Sequence, residues 1–338
     1  MVSADICKVA NERGVRAVWH DRPMLVSEMR RAGDDALIVM AADPLNAAPW
    51  FLLARDCRHG GVRAAFYATV EGRLNRRCVR EYMREVDFVA NSRYVRDRLA
   101  EAGLPVKGVV PHGVDLEACE AAKRSKALGA SYFMKRGLDP SKDLVFLTVA
   151  SSHPRKGLAW LDKVVGLVGE KDPGVKFLVV TEERGRGYFK PHPNLVVTSD
   201  FGRLPRQMVL SLIAAAHLLV IPSLSEGFCL PALEALALGT PVLHAALPPL
   251  LEFSTGFVVP VKEVLYFDRE VVGPSGIEYE QHLYDVGEFA EVLLYAADML
   301  RNKREAVEAV AAKGLEAAGR LDVRSTYPAL LRLMGYEL

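Results

Sequence analysis

Two glutamates stand eight residues apart in the segment IPSLSEGFCLPALEALALGTPVL, residues 221–243, whose other positions are almost all apolar. Glu226 precedes a glycine in a loop that follows the buried strand pattern HLLVIP, and Glu234 falls in the first turn of a helix. A proline, Pro231, is tolerated at the start of that helix, and Gly239 is typical of its end. The segment is therefore predicted to be a strand, a loop, a helix and a strand.

The helix start in this segment could bind an anion, because its first N–H groups lack partners and carry partial positive charge. Glu226 lies too early to stabilise the helix dipole, and a carboxylate among apolar neighbours needs partners. Glu234 could simply favour the dipole, a contribution of ~0.3–1 kcal/mol. Two carboxylates flanking an anion-binding turn also suit a phosphate with hydroxyl-rich groups at both ends. A nucleotide sugar has that shape.

A basic turn at the end of another strand pattern, in LVFLTVASSHPRKGLAWL, could supply the cations that a diphosphate needs. Arg155 and Lys156 precede Gly157 where a helix opens, and strand ends of a parallel sheet share one ligand-binding edge. Charge-assisted contacts to a diphosphate would contribute about 1.5–3 kcal/mol each. The alternative is a solvated basic turn, since most Lys and Arg side chains are exposed.

The elements that must position these residues form two series of short apolar strand patterns separated by helical segments, which predicts βαβ units with parallel sheets. We expect an α/β fold with domains at 1–137 and 138–320, and a C-terminal helix at 321–338 that packs back on the first domain. Residues 260–285 lack periodicity and are expected to be a long functional or mobile connection. The strand patterns are VRAVW (15–19), ALIVMA (36–41), VRAAFYATV (62–70), DFVANS (87–92) and VKGVVP (106–111), then LVFLTVA (144–150), VKFLVVT (175–181), NLVVTS (194–199), HLLVIP (217–222) and TPVLHA (240–245).

The composition and net charge of the chain exclude several classes of protein. With 338 residues, 50% of them hydrophobic, the chain can bury a sizeable core, and a net charge of +1 gives no reason to expect nucleic acid as a partner. The five cysteines are scattered without a C-x-x-C pair, which favours a reducing cytoplasm over a disulfide framework or zinc site. No apolar run approaches the ~18 residues of a membrane span.

The motifs resemble those of the GT-B retaining glycosyltransferases of family 4. PSLSEGFCLPALEALALGTPV is similar to the signature P-S-x-x-E-G-F-G-x-x-x-x-E-A-x-A-x-G-x-P-V, and PRKG resembles the phosphate-binding basic turn. VANSRYVRDRL (89–99) and VVPHGVD (109–115) resemble the end of the acceptor domain. The resemblance implies two Rossmann-like doubly wound parallel-sheet domains facing a cleft, here with a shortened N-terminal domain.

The resemblance also implies roles for matched residues. Glu226 would face the transferred sugar, Glu234 would hold the ribose hydroxyls, and Lys156 with the backbone of Phe228 to Leu230 would stabilise the leaving diphosphate. Glu226, Lys156 and Arg155 are the expected catalytic residues. No metal or other cofactor is expected, in agreement with the absence of a D-x-D triplet. The expected donor-binding residues are Ser151, Lys156, Leu204 of FGRL (201–204), Glu226, Gly227, Phe228, Cys229, Leu230 and Glu234.

The chain departs from the pattern in three ways. Ser151 stands where the family commonly has an arginine, a role that Arg155 could take over, and the N-terminal glycine-rich loop is absent. The usual histidine of the acceptor domain is not evident: His20, after the strand pattern VRAVW, is a candidate, and His112 is assigned to the hinge. These gaps leave room for an unusual acceptor site or a weakened enzyme.

RLNRRCVREYMRE (73–85) is predicted to be a basic amphipathic helix that could contact an acidic acceptor or an anionic membrane surface. The alternative is a solvated face on which Glu81 and Glu85 pair with the arginines. The face comprises Arg73, Arg77, Arg80 and Arg84, of which the first three are acceptor-side candidates.

Competing functions fit the sequence less well. A dinucleotide oxidoreductase needs G-x-G-x-x-G and a P-loop enzyme needs G-x-x-x-x-G-K-[ST]; neither occurs. A GT-B epimerase or phosphorylase would share the fold but not this signature. We expect a hexosyltransferase that uses a UDP- or GDP-sugar and a glycan or lipid-linked acceptor, in the cytoplasm or at the inner membrane face. The rival is a catalytically weakened GT-B protein acting as a sugar-nucleotide-binding module.

Overall fold

The computed structural model describes residues 1–20, 25–41, 47–75, 79–267 and 277–338. Arg77, one of the acceptor-side candidates, lies outside these ranges, as does the middle of the segment 260–285.

The first half of the chain contains a four-stranded parallel sheet in the order β1-β2-β4-β5. Its core includes the stacked rings of Phe51 and Phe66, whose centroids are 4.0 Å apart, with Phe88 beside them. Four of the five predicted strands are present here. The elements are α1 (Val2–Glu12), α2 (Val26–Ala32), β1 (Ala36–Ala41), α3 (Ala48–His59), β2 (Arg63–Ala68), β3 (Gly72–Leu74), α4 (Glu81–Arg84), β4 (Asp87–Ala90), α5 (Arg93–Glu101) and β5 (Val106–Val109).

The predicted strand VRAVW at 15–19 is wrong, because these residues form irregular chain. Val18 and Trp19 are 59% and 61% exposed, whereas strands of a parallel sheet are buried on both faces. Arg16 donates hydrogen bonds to the carbonyl of Ala32 and to Asp34, which ties the segment to the end of α2 instead of to a sheet.

The second half contains a six-stranded parallel sheet in the order β11-β10-β9-β6-β7-β8, and all five predicted strands are present in it. These strands read as nearly continuous apolar runs because helices cover both faces of such a sheet. The elements are α6 (Leu116–Arg124), α7 (Lys126–Met134), β6 (Leu144–Val149), α8 (Leu158–Lys171), β7 (Val175–Val180), β8 (Leu195–Thr198), α9 (Arg206–Ala215), β9 (Leu218–Ile221), α10 (Leu230–Leu238), β10 (Val242–Ala245), α11 (Pro248–Leu251), β11 (Phe257–Val259), α12 (Val286–Asn302) and α13 (Arg304–Gly319).

The last helix, α14 (Val323–Leu333), is capped by Asp322, whose side chain accepts from the N–H of Arg324. Its apolar residues Tyr327 and Leu330 share one core cluster with Val9 of α1 and Val89 of β4. The end of the chain therefore lies against the first half. The domain boundaries at residues 137 and 320 stay predictions.

A third, antiparallel sheet in the order β12-β13-β3 joins the two halves, with β12 at Glu263–Phe267 and β13 at Ile277–Leu283. The expectation of an irregular connection at 260–285 is therefore wrong for the residues that form these strands. Their partners are each other and β3, a pairing between distant segments that local periodicity does not reveal.

The single helix predicted at 73–85 is also wrong. Arg73 lies in β3 opposite Glu278 of β13, and in the part of 73–85 that the structure describes, helical structure covers only Glu81–Arg84. A Cβ atom on Gly72 would lie 2.1 Å from the carbonyl oxygen of Glu278, so only glycine permits this close strand pairing. Long-range backbone hydrogen bonds thus override the helical spacing of the arginines.

Candidate active site

The basic turn follows β6 and is shaped by one glycine. Pro154–Lys156 form a short 3₁₀ turn, and Gly157 ends it with φ of 67°. A Cβ atom on Gly157 would lie 2.0 Å from the carbonyl oxygen of Pro222, at the end of β9. The glycine therefore lets the basic turn approach the loop that carries Glu226.

Glu226 is 6% exposed and is surrounded by donors. Its Oε1 lies 2.5 Å from Nζ of Lys156 and accepts a hydrogen bond from Oγ of Ser223 at 2.7 Å. Its Oε2 lies 3.4 Å from Nη1 of Arg155. Burial by itself raises the pKa of Glu226, but the charges of Lys156 and Arg155 hold it below the usual value, so this buried carboxyl is ionised at neutral pH.

Arg155 also reaches the first half of the chain. Its Nη1 donates to the carbonyl of Ser225 at 3.1 Å, and its Nη2 lies 2.6 Å from Oε1 of Glu71, in the loop between β2 and β3. Burial lowers the pKa of Arg155, but the carboxylates of Glu71 and Glu226 outweigh that effect and raise it. The guanidinium is therefore fixed between an acid of each half.

The loop after Glu226 is packed tightly against the first half. A Cβ atom on Gly227 would lie 2.4 Å from Cγ2 of Thr69, and the ring of Phe228 meets that of His112 edge-on at 5.1 Å. Cys229 has φ of 78°, the left-handed region, and is the only non-glycine residue with positive φ in the described ranges. This strained residue stands where the similar signature has glycine, immediately before Leu230 begins α10.

A small cavity lies beside the ion-paired residues. It is lined by Lys156, Glu226 and Cys229 together with the ends of β6 and β9, and its volume is about 20 Å³. That volume accommodates about one water molecule. The residues of the second half therefore leave little free space beside Lys156 and Glu226.

The structure places Glu234 apart from this cavity. Glu234 is 2% exposed, and its Oε1 lies 2.5 Å from Nη1 of Arg206, at the start of α9. Burial raises the pKa of Glu234, and Arg206 opposes that shift only in part. Glu226, Lys156 and Arg155 are thus brought together, whereas Glu234 has a separate cationic partner, and its ribose role stays a prediction.

Ser151 and Leu204, the remaining donor-binding candidates, do not line the small cavity. Ser151 is half-buried in the loop that follows β6, and Leu204 is half-buried against the core of the second half, in the turn before α9. Their roles in binding a donor stay predictions.

The acceptor-side candidates do not form one surface of a helix. His20 is exposed in irregular chain, without the strand that was expected to present it. Arg73 pairs with Glu278 at 2.5 Å and stacks on the ring of Tyr266 at 4.0 Å, so the third sheet holds it in place. Arg80 is exposed before α4.

Sequence reasoning missed a polar cluster at the carboxyl ends of β2, β4 and β5. Nδ2 of Asn91 donates to Oγ1 of Thr69 at 2.7 Å and lies 3.1 Å from Nε2 of His112. Burial lowers the pKa of His112 to about 3, so the imidazole is neutral. The signal was available in the sequence, because polar residues after neighbouring parallel strands meet at one edge. His112 was instead assigned only to the hinge.

The described ranges contain neither a membrane-spanning helix nor a metal-binding cluster of side chains. In those ranges, no helix combines the length and apolar character needed to cross a lipid bilayer. Nor do three or more His, Cys, Asp or Glu side chains in them converge as a group that could hold a metal ion.

Known proteins resemble this chain in sequence and in fold. Residues 142–271 match the family model described as "Glycosyl transferases group 1". The chain is 25% identical over 339 residues to "Uncharacterized glycosyltransferase 335" of Sulfolobus islandicus rod-shaped virus 1, covering 98% of this chain and 95% of that protein. It is 34% identical over 170 residues to the D-inositol 3-phosphate glycosyltransferase of Segniliparus rotundus, covering 47% of this chain and 36% of that protein.

Solved structures share the architecture. A glycosyltransferase from Rickettsia africae ESF-5 superposes with a TM-score of 0.70 at 13% identity, over 97% of this chain and 86% of that one. A UDP-forming alpha,alpha-trehalose-phosphate synthase from Burkholderia xenovorans gives 0.69 at 14% identity, over 92% and 76%. The expected GT-B fold is confirmed. With the sequence matches, the chain is a glycosyltransferase, and the expectation of a transferase enzyme is confirmed too.

Proposed function

We propose that this glycosyltransferase moves a hexose from a UDP- or GDP-sugar to a hydroxyl acceptor, with retention of anomeric configuration and without a metal ion. The observation that carries the proposal is the buried Glu226 carboxylate, held ionised by Lys156 and Arg155 directly before the start of α10. The resemblance to family 4 supplies the retaining outcome and the metal independence.

In this proposal, the two cations stabilise the leaving diphosphate. Lys156 and Arg155 would bind its phosphate oxygens, together with the N–H groups of Phe228, Cys229 and Leu230 at the start of α10. Negative charge grows on the departing phosphate as the glycosidic bond breaks, and fixed cations in a closed site stabilise it more in the transition state than in the ground state.

Glu226 would act on the sugar. A carboxylate that stays ionised stabilises positive charge that develops at the anomeric carbon. Glu234 would hold the ribose hydroxyls, Ser151 and Leu204 would flank the nucleotide, and Gly227 would allow the donor loop to approach the first half. Residues 138–320 would then bind the donor, and residues 1–137, with the helix at 321–338 against them, the acceptor.

We propose a hydroxyl of a sugar phosphate or glycan as the acceptor. One relative is named for D-inositol 3-phosphate, and one structural neighbour was solved with glucose-6-phosphate. Both are anionic polyols. A lipid-linked acceptor at the inner membrane face is the second candidate, supported by the exposed side chains of Arg80 and Arg84. We propose a cytoplasmic location with peripheral membrane contact.

The rival function is a sugar-nucleotide-binding module, favoured by Ser151 at the position of the family's arginine. The test incubates the protein with UDP- and GDP-sugars plus glucose-6-phosphate, inositol 3-phosphate or membrane extract, and measures nucleotide release and product. We expect release that Glu226→Gln lowers by about 10²–10³-fold. Glu308→Gln, on exposed α13, is the matched control. Donor binding without release would instead establish the module.

A further inference from the structure

Glu71, in the first half of the chain, forms an ion pair with Arg155 of the basic turn. Its Oε1 lies 2.6 Å from Nη2 of Arg155, and the two side chains are 16% and 14% exposed. Such shielding strengthens the ion pair and makes an unpaired charge costly.

The backbone of residue 71 is fixed by the second half as well. Its carbonyl oxygen accepts from Oγ of Ser225 and from the N–H of Glu280, the latter at 3.4 Å. Thr69 and Val70, just before it, lie against Gly227. Glu71 is therefore held at the donor loop by contacts other than its own carboxylate.

The charges at this site balance without a substrate. Lys156 pairs with Glu226 inside the second half, and Arg155 pairs with Glu71 across the two halves. Each phosphate of a pyrophosphate bridge carries a negative charge, so a donor that reaches the guanidinium brings a competing anion. Nη1 of Arg155 already donates to the carbonyl of Ser225, and Nη2 faces Oε1 of Glu71, so a phosphate that binds Nη2 must take the position of the Glu71 carboxylate.

We propose that Glu71 is a positioning residue whose carboxylate takes the place of a donor phosphate on Arg155 and must leave when the donor binds. This inference rests on the proposed function. The ion pair holds Arg155 beside Glu226 while the donor is absent. Donor binding and the contact between the two halves then oppose each other thermodynamically, because both use the same guanidinium.

The experiment measures dissociation constants of UDP, GDP and inorganic pyrophosphate for the 338-residue chain by calorimetry. We expect Glu71→Gln to bind these anions about 5- to 50-fold more tightly than the unmodified protein, the range of a typical coupling between sites. The affinity for inorganic pyrophosphate should rise as well, because the Glu71 carboxylate competes with the phosphate groups and not with the nucleoside. In an Arg155→Ala background, Glu71→Gln should change affinity less than twofold.

The matched control is Glu278→Gln. Glu278 also forms an ion pair between the two halves, with Arg73 at 2.5 Å, but Arg155 is not its partner. We expect Glu278→Gln to bind UDP, GDP and pyrophosphate within twofold of the unmodified protein. This comparison separates competition at Arg155 from a general weakening of the contact between the two halves. Should Glu71→Gln fail to fold, Glu71→Asp withdraws the carboxylate by one methylene and should give a smaller gain.

The outcomes separate the two proposals. Equal or weaker binding by Glu71→Gln, with clear binding by the unmodified protein, overturns this inference and leaves the proposed function standing. An equal gain in Glu278→Gln overturns it as well. Absence of binding in both the unmodified protein and Glu71→Gln overturns both proposals.

Discussion

Nζ of Lys156 lies 2.5 Å from Oε1 of Glu226, although 70 residues separate them in the chain. The contact joins the ends of two neighbouring strands, β6 and β9, whose loops both emerge at the carboxyl edge of the second sheet. A cation and a carboxylate are thereby fixed at the proposed donor site before any substrate arrives.

Replacing Lys156 by Ala should lower transfer by more than tenfold, because the leaving phosphate loses a fixed cation. The measurement is kcat/KM with the UDP- or GDP-sugar from which the unmodified protein releases nucleotide. Lys163→Ala, which removes an exposed lysine from α8, is the control and should keep full activity. Unchanged turnover in Lys156→Ala would remove this residue from the site.

Glu234→Gln tests the ribose role. If Glu234 holds the ribose hydroxyls, UDP or GDP affinity should fall about tenfold, while the affinity for inorganic pyrophosphate, which has no ribose, stays the same. Calorimetry with both probes separates the nucleoside contribution from the phosphate contribution. Equal nucleotide affinity in the two proteins would show that Glu234 serves only its ion pair with Arg206.

Gly157→Ala should destabilise the fold by about 2–4 kcal/mol, because the new methyl group meets the carbonyl of Pro222 and the backbone lies in the left-handed region. Urea denaturation gives the free energy of unfolding. In Gly187→Ala the methyl group meets nothing within 4 Å, and the change should stay below about 0.5 kcal/mol. Similar values for both variants would contradict the tight contact between the basic turn and β9.

The buried, neutral imidazole of His112 should make the protein less stable in acid. Its pKa is lowered from 6.5 to about 3 by burial, so the unfolded chain binds a proton between these values and the folded chain does not. The stability that depends on the neutral imidazole is present above pH 6.5 and is lost as the pH falls toward 3.

For this one group the loss between pH 7 and pH 5 is about 2 kcal/mol. The free energy of unfolding, measured at both pH values, should therefore fall by about that much more in the unmodified protein than in His112→Asn. Parallel pH profiles for the two proteins would show that His112 is solvated and titrates normally.

Local patterns in the sequence were sufficient for five of the six strands of the second sheet. Its strands are continuous apolar runs, its glycines and prolines mark turns and helix ends, and PRKG and SEGF follow strand ends. Parallel strands bring such loops to one edge, so Lys156, Arg155 and Glu226 were expected to meet, and they do. Strand period and turn chemistry are properties of neighbouring residues, which is why they can be read from the chain.

The contacts between distant segments could not be read in this way. The helical spacing of Arg73, Arg80 and Arg84 predicted one helix, but Arg73 pairs with β13 from the other half of the chain. Glu71 carried no motif, and its ion pair with Arg155 exists only because two loops from different sheets meet. The sequence by itself determined which residues could bind an anion. The tertiary structure decided which carboxylate pairs with Arg155 and which with Lys156, because ion pairing depends on distance in space.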